Sequence, residues 1–187
     1  MASEVWLIRH AETAWSLAGR HTGRTDIPLT DEGRAAAAKL RDRVAGHSFT
    51  AVFVSPLSRA RETAELAGLG DRAQFRDDLL EWDYGDYEGV TTSDIRKDRP
   101  DWYLWDDGVP NGEVAADVAA RVDRVIAEAL ALDGDVAVVA HGHVLRVLAA
   151  RWLEQPPQLG GHLVLETGGI SRLGFERDVR ALLAWNT

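Results

Sequence analysis

Cysteine is absent from the 187 residues and methionine occurs once. Without cysteine there is no disulfide framework, no thiolate metal site and no thiol nucleophile. Positive charge is also scarce: 21 Lys and Arg stand against 30 Asp and Glu, a formal net charge of −9. Such a chain lacks the basic face that neutralises a nucleic-acid backbone, and anionic membrane surfaces repel it. Long apolar runs are missing too. The four apolar residues 5–8 have no basic start before them, too little for a signal-peptide core. Val136–Ala140 falls far short of the ~18–20 residues of a membrane span. The expectation is a cytoplasmic protein with neither nucleic acid nor membrane as partner; a homodimer is left open. Neither a phosphate-binding GxxxxGK[ST] loop nor an HExxH metal motif occurs.

What is present is enough apolar residue, 45% of the chain, to build a core. The length suits one domain over 1–187, with the acidic, aromatic, Gly- and Pro-punctuated stretch 83–112 as a cap-like insertion. Compact β-rich runs at 4–9, 51–55 and 135–140 read as buried strands, and 74–80 as a weaker one. Thr30, followed by Asp31 and Glu32, is a helix N-cap, and that helix runs to Gly46. Residues 58–67 form a second helix, stopped by Gly68, with Ser55 or Ser58 as cap. The strongest helical period spans 113–130, with Val114, Val118, Val122, Val125 and Ala129 on one face. A short helix near 92–97, a helix over 144–153, and late strands at 163–165, 170–175 and 181–185 complete the reading. Alternation of this kind predicts an α/β fold: a three-layer αβα sandwich, its central sheet mostly parallel, with helices on both faces and a small cap.

In such sheets ligands bind beyond the carboxyl ends of the strands. Three strand ends carry reactive residues: Arg9-His10-Ala11-Glu12-Thr13, Ser55-Pro56-Leu57-Ser58-Arg59, and His141-Gly142-His143. Arginine offers a planar fork of donors that matches phosphate. Histidine can act as general acid, base, nucleophile or ligand. Two arginines and at least two histidines on one sheet edge make an anion site inside an acidic molecule.

Arg9-His10-Ala11-Glu12-Thr13 resembles the signature of the histidine phosphatase (phosphoglycerate mutase-like) superfamily. Four further segments follow in the order that the family shows: Gly19 to Asp26, Ser55-Pro56-Leu57 with Arg59, Glu81-Trp82-Asp83-Tyr84-Gly85 with Tyr87-Glu88-Gly89, and Ala140-His141-Gly142. The resemblance implies a phosphomonoester hydrolase that needs no metal or cofactor and takes small phosphorylated metabolites. It implies that His10 attacks phosphorus and that Arg9, Arg59 and His141 bind the phosphoryl oxygens. It implies that Glu81, with Asp83 as the alternative, protonates the leaving oxygen and then activates water. Thr22, Gly23, His21 and Gly142 would contribute to the pocket mouth. Ser16 stands where many members have Asn, a departure that is similar to the acid phosphatase and sugar-bisphosphate phosphatase branch.

Other readings are open at this stage. A mutase on the same fold is the runner-up, although 89–112 carries Arg96, Lys97 and Arg99 against five aspartates. A metallohydrolase using His10, His141 and His143 and a non-catalytic phospho-ligand binder are further alternatives. His143 is expected to pack or cap the following helix, and Arg61, His47 and His162 to lie on the surface. Trp102, Tyr103 and Trp105 are expected to anchor the cap, while Trp15 and Trp82 could line the pocket. A second phosphate would need a distal cation, with Arg20, Arg24, His21 and Arg96 as candidates.

Overall fold

The computed structural model describes residues 4–187; residues 1–3, part of the N-terminal stretch read above as lacking a basic start, lie outside it. Six strands form one sheet: β1 (Val5–Arg9), β2 (Ala51–Val54), β3 (Ala73–Phe75), β4 (Val136–Ala140), β5 (Ile170–Glu176) and β6 (Val179–Ala184), in the order β3-β2-β4-β1-β5-β6. The first four in that order are parallel, and β5 and β6 are antiparallel additions. Every residue of β2 and β4 is buried, as expected of parallel strands covered on both faces.

The pleat divides the core. Leu7, Phe53 and Val138 face α6 (Ala115–Leu130) and α7 (Gly142–Trp152). Ile8, Val52, Val54 and Val139 face α2 (Asp31–Val44) and α3 (Ser58–Leu66). Each such buried side chain contributes about 1.5–3 kcal/mol relative to exposure. Short helices α1 (Ala14–Leu17), α4 (Thr92–Asp98) and α5 (Leu104–Asp107) lie at the strand-end side, and no helix among the described residues is long and apolar enough to cross a membrane.

Thr30 caps α2, its side chain accepting from the Gly33 N–H. Four details differ from expectation. Neither Ser55 nor Ser58 caps α3; the Asp26 carboxylate accepts from Ser58 N at 2.9 Å, across 32 residues of sequence. Val114 is the N-cap of α6 and 44% exposed, so the buried face starts at Ala115 rather than at Val114. Residues 74–80 extend only as far as Phe75 before a 3-10 turn at Asp77–Leu79. Residues 163–165 are not a strand, and the Leu165 carbonyl accepts from the Arg9 guanidinium instead.

Candidate active site

Strand register builds the site. Arg9 on β1 stands opposite Ala140 on β4, and His10 N donates to the Ala140 carbonyl at 2.9 Å. One step further along both strands places His10 beside His141, with ring centroids 5.1 Å apart. Ser55 N donates to the Val139 carbonyl at 3.0 Å, which brings the end of β2 alongside.

His10 Nδ1 lies 2.7 Å from the Ala11 carbonyl. A carbonyl only accepts, so Nδ1 carries the proton and Nε2 keeps its lone pair. Burial, followed by the charges of Arg9 and Arg59, pushes the His10 pKa well below the ordinary histidine value. The result is an uncharged imidazole, held in one tautomer, on the wall of a cavity of about 330 Å³. Arg9 lies on the same wall. Its Nη1 donates to the Leu165 carbonyl, while its Nε is buried without a hydrogen-bond partner. The Gly142 backbone passes so close that a Cβ there would lie 3.3 Å from the Arg9 guanidinium carbon.

Arg59 and His141 were expected at the phosphoryl oxygens, but the structure sets both beneath the cavity, fully buried and off its wall. Arg59 donates from Nε to His141 Nδ1 at 3.1 Å, from Nη1 to the Thr25 carbonyl, and from Nη2 to the Thr22 and Gly23 carbonyls. His141 thus accepts at Nδ1, and its Nε2–H donates to Ser55 Oγ at 2.6 Å. Burial, with Arg59 next, lowers the His141 pKa well below the ordinary value. These bonds fix the 22–25 loop from below, and Glu88 fixes it from the other side by accepting from Gly23 N and Thr25 N. The Gly23 N–H, expected at the pocket mouth, is therefore committed to Glu88, whereas Thr22 does line the cavity.

Glu81 is buried and lines the cavity. Its carboxylate takes the place of a side-chain cap on α7: Oε2 accepts from His143 N and Oε1 from Val144 N, each at 2.9 Å, and Oε1 also accepts from Trp82 N. Asp83 is off the cavity, 3.7 Å from Arg24 and accepting from Gly85 N.

Ser16 and His21 both line the cavity. Ser16 Oγ is occupied by a reciprocal bond pair with the Thr13 backbone, a capping arrangement for α1. Burial lowers the His21 pKa to about 4, which leaves that ring neutral at pH 7. Arg20 and Arg96 reach the cavity, while Arg24 turns to Asp83 and Glu113. Trp102 and Trp105 are buried beneath the 83–112 segment, as expected of anchors, and Tyr103 is on its rim; all three also face the cavity. Trp15 packs on Gly89, and Trp82 is fully buried with its indole N–H on the Glu113 carbonyl, so neither lines it. His162 and Arg61 are exposed, but His47 is half-buried, with Nε2 2.7 Å from Asp135.

Among the cavity residues that sequence reasoning missed are Tyr84, His143 as a wall residue, and Arg146. Arg146 is three residues beyond His143 on one helix, and that spacing was the available signal. It donates to the Gly160 and Gly161 carbonyls and lies 4.8 Å from the centre of the Trp105 ring. Among the described residues no three His, Asp or Glu side chains gather as a metal centre requires.

An open α/β sheet, an anion pocket at the carboxyl ends of its strands and an uncharged histidine in that pocket define a phosphoryl-handling protein. The sequence profile of the histidine phosphatase superfamily, branch 1, matches residues 5–187, and the chain belongs to that family. It is 44% identical over 181 residues to an acid phosphatase of Mycobacterium tuberculosis, covering 94% of this chain and 88% of that one. It is 38% identical over 179 residues to the sedoheptulose 1,7-bisphosphatase of Saccharomyces cerevisiae, covering 78% and 66% respectively. A solved structure of an open reading frame of Mycobacterium tuberculosis superposes with a TM-score of 0.94 at 41% identity, covering 98% of this chain and 97% of that one.

Proposed function

We propose that the chain hydrolyses phosphate monoesters of small metabolites through a covalent phosphate on His10. The observation that carries this reading is His10 itself: buried, uncharged, with Nδ1–H bonded to Ala11 and Nε2 left as the nucleophile. Nε2 forms a bond to phosphorus as the ester P–O bond breaks. Arg9, on the same cavity wall as His10, takes charge on the equatorial oxygens. Arg59 and His141 are positioning residues in this reading, since their donors hold the floor and the 22–25 loop. A monoester bound as its monoanion brings in the proton that Glu81 passes to the leaving oxygen. Water then attacks phosphorus, its proton goes to Glu81, and the P–N bond breaks to release phosphate.

The cavity volume suits a sugar phosphate or a similar molecule. Arg20, Arg96 and Arg146 line it, and none of the three is in an ion pair with a carboxylate among the described residues, so a second anionic group on the substrate is accommodated. A cytoplasmic location, where such metabolites are found, is part of this proposal. Transfer between positions of a bisphosphorylated substrate is the alternative on this fold; five aspartates against three cations in 89–112 favour hydrolysis.

The test is rapid quenching with ³²P-labelled substrate. Wild-type protein is expected to carry an acid-labile label on His10, and His10→Ala to show neither label nor turnover. Near wild-type turnover in His10→Ala would overturn the reading. Dependence of phosphate transfer on a bisphosphorylated primer would favour the mutase.

A further inference from the structure

The wall opposite His10 contains a polar pair that the steps above leave unused. Tyr84 is 2% exposed, and its hydroxyl lies 2.6 Å from His143 Nδ1. One of the two atoms must donate. Tyr84 Oη has no other partner among the described residues. If His143 Nδ1 carried the proton, the phenol hydrogen would have no protein partner. With the phenol donating, both groups are satisfied. Burial, then the neighbouring Glu81 charge, raises the Tyr84 pKa well above its ordinary value, which keeps that hydrogen in place. Burial, with Arg146, His21 and Arg9, lowers the His143 pKa well below the ordinary value, so the ring is neutral. A neutral ring that accepts at Nδ1 carries its hydrogen on Nε2.

That second nitrogen has no partner among the described residues and is not fully buried, while His143 lines the cavity; Nε2–H therefore opens onto the cavity. The ring is held on three sides, at centroid distances of 5.4 Å from Trp105, 6.3 Å from Trp82 and 5.9 Å from Tyr84. The backbone N–H of the same residue holds Glu81 Oε2, so this fixed donor stands beside the carboxylate that meets the leaving group.

We propose that His143, locked by Tyr84 as a neutral Nε2–H donor, is a specificity-determining residue that selects leaving groups carrying a hydroxyl oxygen near the ester oxygen, that is, phosphates of polyols and sugars rather than of plain alkyl chains. The proposal rests on the hydrolase reading above. A buried, oriented donor left unpaired by an alkyl chain costs binding, whereas a hydroxyl oxygen satisfies it.

Glycerol 3-phosphate and propyl phosphate share the same kind of ester oxygen and differ in their hydroxyls. The wild type is expected to prefer the glyceryl ester about tenfold in kcat/KM, mostly through KM. His143→Leu should lose that preference. His143→Gln should keep most of it, because the amide N–H reaches the place of Nε2–H. Tyr84→Phe should weaken it several-fold. Nitrogen-15 spectra of wild-type His143 should put the proton on Nε2, a readout that does not depend on any variant folding. No preference in the wild type, an undiminished preference in His143→Leu, or the proton on Nδ1 would overturn the proposal while leaving hydrolysis intact. Failure of the wild type to hydrolyse either ester or p-nitrophenyl phosphate would instead overturn the reading beneath it.

Discussion

In the proposed mechanism Glu81 does two jobs with one carboxylate, and replacing it by glutamine separates them. The amide oxygen of Glu81→Gln can still accept from Trp82 N and Val144 N, but its NH₂ would face the His143 N–H. The start of α7 should lose about 1 kcal/mol, the usual cost of a missing cap. Proton transfer should be lost altogether. We expect kcat for an alkyl phosphate to fall about 10²–10⁴-fold, and much less for p-nitrophenyl phosphate, whose leaving group departs without a proton. Asp83→Asn should change either rate little, since Asp83 is off the cavity. An equal loss with both substrates in Glu81→Gln would remove it from the acid role. At this scale the readable residues were those fixed by strand ends: Arg9, His10 and His141 follow from the rule that sites form past the carboxyl ends of parallel strands. Arg59 was located but its partners were not. The carbonyls it serves lie 34 to 37 residues away, and no local pattern announces which way a guanidinium turns.

At the scale of elements, the acid loop hangs from α6. Arg121 donates to the Asp78 carbonyl at 2.7 Å and to the Leu80 carbonyl, and grips the Glu113 carboxylate from Nε and Nη2. Glu113 Oε2 in turn accepts from Asp83 N at 2.8 Å. The backbone on both sides of Glu81 is thus tied to one ion pair, its arginine buried and its glutamate partly so. Arg121→Met removes the cation and leaves Glu113 and two carbonyls without it. The expected cost is about 3 kcal/mol, read as a lower urea midpoint with the slope unchanged. A drop in kcat should accompany it as Glu81 loses its place. A loss below about 1 kcal/mol would mean that the loop stands on its own packing. Strands β1, β2 and β4 were legible because a strand buried on both faces must be apolar throughout, and such runs are rare in a chain this charged. Caps supplied from afar were not: α3 is capped by Asp26, and a serine adjacent in sequence is the natural but wrong choice. The apparent strand at 163–165 fails for a related reason, since its Leu165 carbonyl is taken by Arg9 rather than by a neighbouring strand.

For the whole molecule, the site's histidines set an acid limit on the fold. Burial depresses the pKa of His10, His21, His141 and His143, well below the ordinary value for three of them and to about 4 for His21. The unfolded chain protonates each near pH 6.5, and the folded one does not. Below that point the unfolded state binds more protons, so stability present at pH 7 is lost as the pH falls. Each histidine that stays neutral contributes a slope of about 1.4 kcal/mol per pH unit. For His21, whose folded value is about 4, that is about 1.5 kcal/mol from pH 6.5 to 5, against a total of ~5–15 kcal/mol for a domain. In the proposed mechanism the same depression keeps His10 uncharged below the ordinary histidine range, so the acid limb of activity should follow unfolding rather than His10 titration. Urea midpoints measured from pH 7 to pH 5 should fall steadily. His21→Gln removes one of the four groups and should make that decline shallower by about 1 kcal/mol per pH unit averaged over the range. A midpoint that does not move over this range would show that the four rings take up protons in the folded state. His10 would then be cationic, and no longer a nucleophile, at the lower end of it.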